Sequence, residues 1–421
     1  MFRTRRSVLF AAAVAVALAG TAVYLRGSAP PSGVGGSRLA AAVKRGIPSP
    51  PRTEHAASGE INPRFAPSYA LGGATFTGFV SDSYAQCAPR TRPAGAAEFY
   101  RWLDAAYAGA RRSAGVPPEV TEKGPLGAAL DSERVRLAAV QDPLARARRE
   151  RQVAAWAHRM VKKAIPRFSL ERGFEFYNMA HGGQRQCYSQ SVLIAGMLQR
   201  AGIPAGVVMV WKSLDGVLSN NGHAVVVARL ASGRHLLVDA SDAAPFPRQQ
   251  GLFVRRNGQY QYVTPLFAAG DSEIVGYRLK SNRNRITVGE VCTLDLPFLR
   301  SQFYYYRGER APGGAFDSKK TMAGLSESAR RLRTATQLCP ENPLAVYMLG
   351  RVYQRQGRRQ AARERFTDAY GQYRAFGYVP SGTKDAFALV TPRPRKSVFL
   401  ATSRPTNAGR SDSEWAASHR R

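Results

Sequence analysis

Residues 187–239 constrain the fold more than any other stretch, because the hydrophobic period changes there from helical to extended. Cys187 is followed by Tyr188, Ser191, Val192, Leu193, Ala195, Leu198 and Ala201, small and apolar residues at helical spacing, and Gly202-Ile203-Pro204 closes the pattern. Three β-rich runs follow, at 206–211, 223–230 and 235–239. A polar loop to Gly222 separates the first two, and Ala231-Ser232-Gly233-Arg234 joins the last two.

The Ser-Gly turn makes the hairpin register calculable. With the turn centred near Ser232, His223 faces Ser241 and Asp239 faces Val225, so His223 and Asp239 are diagonal neighbours on one face, within reach of each other. A slip of one residue would put Asp242 in place of Asp239. Cys187 opens the helix, where unpaired backbone N–H groups favour negative charge on sulfur or on an oxyanion. A helix packed on the face carrying His223 and Asp239 would complete a nucleophile, a general base and an orienting acid, the set that covalent acyl chemistry needs. His181 and His235 are read as structural.

Three blocks then occur in order. They are Gln186-Cys187-Tyr188-Ser189-Gln190-Ser191 with the run from Leu198 to Pro204, Gly222-His223-Ala224-Val225, and His235-Leu236-Leu237-Val238-Asp239, with 36 residues from Cys187 to His223 and 16 from His223 to Asp239. Over 174–267 the chain resembles the transglutaminase-like superfamily. The resemblance implies a papain-like α+β core, Cys187 as nucleophile, His223 as base and Asp239 as the residue that orients it. Gln184 and Gln186 are the candidates for an oxyanion-hole donor. Two positions depart from the family pattern. Arg185 stands where glycine is frequent, which bears on the substrate channel beside Cys187, and Val225 stands where an aromatic is usual.

A second resemblance covers the helical C-terminal part. Ala345-Val346-Tyr347-Met348-Leu349-Gly350-Arg351-Val352-Tyr353, then Gly357, Ala361-Ala362, Phe366 and Ala369, is similar to a tetratricopeptide repeat, with a preceding half-repeat in Leu332, Ala335 and Pro340. It implies a helical hairpin docked on the core and a protein partner there.

The remaining segments complete the organisation. Arg3, Arg5 and Arg6 precede an uncharged apolar run at 7–25, so 1–26 reads as a signal anchor or signal peptide that places the bulk outside the cytoplasm, in the cell envelope or secreted. A Pro/Gly/Ser-rich flexible linker is expected at 27–69, a mainly helical region at 70–172, the catalytic core at 173–300, the TPR-like region at 301–378 and a disordered tail at 379–421. Within 70–172, Phe99, Trp102, Leu103 and Tyr107 mark one helix. A second has Leu144, Val153, Trp156, Met160 and Val161 on its apolar face, with Asp142-Pro143 as cap and first turn. Four cysteines in 421 residues are too few for a disulfide framework.

The chain carries 61 Lys and Arg against 29 Asp and Glu, a formal charge of +32, and its arginines are spread along the whole length. Such a surface attracts anions, yet no aromatic-interleaved RNA motif, zinc-finger spacing or DNA-reading helix is present, so no nucleic-acid partner is expected. No His, Cys and carboxylate cluster has ligand spacing, so neither metal nor organic cofactor is expected. The expected activity is that of an exported, membrane-tethered cysteine hydrolase or acyltransferase acting on peptide or protein amides, hydrolysis ahead of crosslinking. The alternative is a catalytically inactive transglutaminase-like/TPR scaffold for protein–protein interaction in the envelope.

Overall fold

The computed structural model describes residues 65–88, 95–112 and 124–391. The apolar segment expected at 1–26, most of the 27–69 linker and the last thirty residues of the chain lie outside them. Among the described residues no helix is long and apolar enough to cross a membrane.

Six helices precede or carry the candidate nucleophile: α1 (Ala74–Cys87), α2 (Gly95–Arg112), α3 (Leu126–Ala139), α4 (Pro143–Ala164), the short α5 (Phe176–Gly182) and α6 (Cys187–Arg200). Helix α4 starts as its sequence dictates. Asp142 accepts from the N–H groups of Leu144 and Ala145 at 3.2 and 2.9 Å, and Pro143 takes the first turn, where a missing N–H costs nothing. Val153, Trp156, Met160 and Val161 are buried, whereas Leu144 is not: it sits in the capped first turn, 61% exposed.

Helix α6 is buried along nearly its whole length. Its end is held by Gln199, whose amide donates to Pro67 O and Ala205 O at 2.9 and 2.8 Å and accepts from Tyr69 N–H at 2.7 Å. Through these bonds the C-terminal end of the expected linker becomes ordered structure, with Phe65, Ala66 and Tyr69 buried.

A parallel pair of two-residue strands, β1 (Arg167–Phe168) and β2 (Gln184–Arg185), leads into α6. The main sheet comprises β3 (Ala205–Lys212), β4 (Leu218–Arg229), β5 (His235–Val238), β6 (Gly251–Arg256), β7 (Gln259–Phe267), β8 (Glu273–Leu279) and β9 (Arg285–Ile286), in the order 5-4-3-6-7-8-9. All its pairings are antiparallel, and β5 also pairs with β8, so strands 5-4-3-6-7-8 close on themselves. The β4–β5 register is the expected one: Val226 faces Val238, Val227 faces Leu237 and Ala228 faces Leu236. Strand β4 starts earlier than its sequence suggested, at Leu218, because Lys212 pairs with Leu218 across a bulge in β3.

The barrel separates two apolar faces. Val208, Val210, Val225, Val227, Leu237, Leu252, Val254 and Val263 form an interior cluster. Val207, Met209, Ala224, Val226, Ala228 and Val238 belong instead to the large core that contains α6. The body of α6 therefore packs on the face opposite to that expected, away from the side shared by odd-numbered positions of β4. Small Ala224 and Ala228 admit the helix closely, and Ser191 Oγ donates to Ala224 O at 3.1 Å.

Beyond the barrel come α7 (Leu296–Glu309), α8 (Met322–Leu338), α9 (Pro343–Arg355), α10 (Arg359–Ala375) and α11 (Ser381–Val390). Helices α9 and α10 form the expected hairpin, turning at Gly357 with φ of 74°. Gly350 brings them together: a Cβ there would stand 2.8 Å from the Phe366 ring. The hairpin docks on the barrel through Phe376, whose ring meets Phe253 at 5.5 Å and whose carbonyl accepts from Tyr262 N–H at 3.0 Å. Helix α11 corrects the expectation of disorder from 379, since Phe387 stacks on Tyr370 at 4.1 Å and binds the segment to α10.

One buried cluster runs from Tyr69 through Tyr188 and Phe303 to Ala386. Across it, Arg307 of α7 donates to Glu175 at 2.7 and 3.0 Å and to Asp82 of α1 at 2.5 Å, tying three distant elements. No disulfide joins the four cysteines.

Candidate active site

Cys187 is the first residue of α6, after an extended lead-in through β2 to Gln186 (φ −132°, ψ 159°). No side chain caps this helix end, so its first N–H groups remain aimed at whatever negative charge develops beside Cys187. The lead-in is fixed from two sides. Ser169 N–H donates to Arg185 O at 2.9 Å, and Ser189 Oγ donates to Gly173 O at 2.5 Å. Gly173 allows this approach, because a Cβ there would lie 2.3 Å from the Arg185 carbonyl.

The sulfur of Cys187 lies 3.9 Å from Gly222 O, within β4 and next to His223. Although the helix body packs on the opposite face of β4, its first residue reaches the strand beside Gly222, and the nearness of the sulfur favours a proton on His223. His223 Nε2 bonds Asp239 Oδ2 at 2.6 Å. That leaves Nδ1 as the ring nitrogen available to sulfur. Asp239 is almost wholly buried, and the His223 side chain keeps 21% of its surface exposed.

The electrostatics follow from this placement. Burial pushes the His223 pKa down, but the Asp239 carboxylate bonded to it, together with the Cys187 sulfur, outweighs burial and holds it well above the ordinary value. Burial likewise opposes ionisation of Asp239, while His223 and the bonds from Ser241 keep its pKa below the usual carboxylate range. Asp239 thus stays a carboxylate and makes the imidazole a stronger base.

Two residues that sequence reasoning missed hold the acid. Ser241 N–H donates to Asp239 Oδ1 at 2.9 Å and Gln249 Nε2 to Oδ2 at 3.2 Å. Gln190, one turn into α6, donates to Ser241 Oγ at 2.7 Å, linking the nucleophile's helix to the acid's loop. Gln190 belongs to the quoted Cys187 block and so was visible. Gln249 lies in a loop with no pattern to mark it.

The other candidates separate. Asp242 turns its Oδ1 to Ala244 N–H at 3.0 Å, while its carbonyl accepts from His158 Nε2 at 3.2 Å and from Lys162 Nζ, so its carboxylate does not serve His223. Gln184 folds over Gly182, its nearest side-chain atoms 3.4 Å from where a Cβ would be there. Gln186 is buried with its Oε1 unpartnered. Alternation along the extended lead-in puts both glutamines on the side away from Cys187 and puts Arg185 on the same side as Cys187.

His181 pairs with Glu98 at 2.7 Å and stacks on Tyr177. His235 is fully buried, with Nδ1 bonded to Tyr277 Oη at 2.8 Å and a pKa that burial lowers to about 3. Both act as packing groups. Among the described residues no group of three His, Cys, Asp or Glu side chains gathers to hold a metal ion.

No protein-family model, curated protein or solved structure matches this chain.

Proposed function

We propose that this protein is a cysteine enzyme of transglutaminase-like type that acts on amide bonds of peptide or protein substrates through Cys187, His223 and Asp239. The observation that carries this reading is the 2.6 Å bond between His223 and a buried Asp239, with the Cys187 sulfur 3.9 Å from the adjoining Gly222 O at an uncapped helix N-terminus.

His223 takes the thiol proton, and sulfur attacks the amide carbonyl carbon to form an S–C bond. The oxyanion faces the first N–H groups of α6. His223 returns the proton to the departing amine as the C–N bond breaks, leaving a thioester. Water, or an acceptor amine, then gives a proton to His223 and displaces sulfur, releasing acid or a new amide. Hydrolysis is favoured over crosslinking in this reading only because water is the more abundant acceptor.

A second reading, an inactive scaffold, draws on the burial of Cys187, which is 3% exposed. In either reading the exported location rests on the sequence of 1–26 alone, and the α9–α10 hairpin is a candidate seat for a protein partner.

The test is mass spectrometry of peptides incubated with wild type and Cys187→Ala, joined to iodoacetamide labelling of Cys187 in wild type and His223→Ala. The enzyme reading expects a cleaved amide, lost ammonia or a new isopeptide that depends on Cys187, and labelling that collapses without His223. No product, together with labelling indifferent to His223, selects the scaffold.

A further inference from the structure

Arg185 is buried in an unusual way. The residue is 7% exposed, yet its Nε and Nη1 atoms are buried without a hydrogen-bond partner. A guanidinium cannot shed its charge as a lysine does, so unfilled donors in a dry site are costly. Its position offers an explanation. Arg185 stands two residues before Cys187 on an extended segment and so shares its side, and its backbone is pinned against Gly173 and Ser169.

The nearby anion does not satisfy it. Asp239 exerts a long-range pull on Arg185, but its oxygens are already engaged by His223, Gln249 and Ser241. Its charge is also drawn on by the His223 imidazole bonded to it. Lys162 adds a second cation, close enough for Arg185 to depress its pKa after burial has done so. Its ammonium donates to Asp242 O, and the Asp242 and Asp239 carboxylates both favour its charged form. What stays open is the guanidinium, whose Nε and Nη1 donors neither carboxylate takes up.

We propose that Arg185, supported by Lys162, is an anion subsite beside Cys187, and that the amide substrate carries a carboxylate next to the bond under attack. This deepens the cysteine-enzyme reading and rests on it. A carboxylate matches the planar fork of a guanidinium, and the pairing would fix the substrate carbonyl relative to sulfur. It also accounts for arginine at a position where the transglutaminase-like pattern often has glycine.

The test needs no knowledge of the natural substrate. Iodoacetate and iodoacetamide deliver the same carbon to a thiol and differ in charge. The ratio of their rates at Cys187, read by peptide mass spectrometry, therefore cancels any change in the nucleophile itself. In the full-length folded protein that ratio should exceed the urea-unfolded value by about tenfold, the factor that roughly 1.4 kcal/mol supplies. Exposed Cys87 should show no such gain. Arg185→Gln should return the ratio at Cys187 to the unfolded value, and Lys162→Gln should lower it in part.

A folded wild-type ratio equal to or below the unfolded one overturns the subsite, and this comparison requires no variant to fold. His223-dependent iodoacetamide labelling without an iodoacetate advantage removes the subsite and leaves the triad standing. Failure of both reagents to label Cys187 in the folded protein removes both.

Discussion

Asp239 holds the His223 ring at 2.6 Å without being its strand partner. His223 is paired with Val210, and Asp239 lies one residue beyond Val238, the partner of Val226. The acid therefore stands off the ladder, aimed by Ser241 and Gln249 rather than by sheet hydrogen bonds.

Asp239→Asn should lower Cys187 alkylation by iodoacetamide about a hundredfold at neutral pH, since the carboxylate is the largest of the influences that favour a proton on His223. The same change should move the His223 titration, followed by NMR of its ring protons, toward its ordinary value. An unmoved titration would show that burial and sulfur alone set the base. Gln249→Ala should produce a smaller shift in the same direction.

The pair also predicts a stability profile. The folded-state pKa of His223 is raised above 6.5, so its contribution is complete below 6.5 and is lost as pH rises through the folded value. That of Asp239 is lowered below 3.8, so its contribution is present above 3.8 and disappears as pH falls through the folded value. The Tm difference between wild type and His223→Gln should be widest between 3.8 and 6.5 and narrow on the alkaline side. A difference that grows with rising pH would refute the sign.

Gly173→Ala places a Cβ 2.3 Å from the Arg185 carbonyl and 2.6 Å from Ser169 O, both backbone atoms that cannot swing aside. It should cost about 1–3 kcal/mol in denaturant unfolding. It should also slow Cys187 labelling, because the displaced segment is the one that enters α6. Stability lost with labelling intact would mean that the strain relaxes away from the site.

Arg307 and Glu175 are both 5% exposed at the side chain. Arg307→Met leaves Glu175 buried and uncompensated, a loss of about 3–5 kcal/mol. Adding Glu175→Gln should recover part of it, and the double-mutant cycle would then return a coupling energy. Purely additive losses would mean that Asp82, also bonded to Arg307, carries the charge balance.

Truncation after Pro380 removes α11 and strips Tyr370 of its stacked Phe387 ring. A loss near 1 kcal/mol is expected for the ring pair alone, and Phe387→Ala should reproduce it. No change in Tm for either variant would return the segment to the role of a loose tail.

The sequence made the hairpin register readable because one short turn, Ser232-Gly233, fixes every pairing after it, and Val226 opposite Val238 follows from that centre. It made Asp142 readable as a cap for the same local reason. The packing side of α6 was not readable. Odd and even positions of β4 are both apolar, Val225 and Val227 against Ala224, Val226 and Ala228, and a strand buried on both faces gives no alternation to choose from. Strands β6 to β8 carried an unread signal. Asn257-Gly258 lies between Arg256 and its partner Gln259, both residues at positive φ, as a two-residue hairpin turn requires. Helix α11 was hidden by its weak composition, and only its contact with Tyr370 explains it.

The pairing of β5 with β8 has a consequence for whatever enters the site. Val226 to Ala228 of β4, and His235 and Leu236 of β5, have strand neighbours on both flanks, so an incoming peptide finds no vacant backbone along that stretch onto which it could lay itself as an extra strand. The closure stops three residues short of His223, so an extended guest is steered away from the closed stretch and toward the part of β4 that carries the reacting groups.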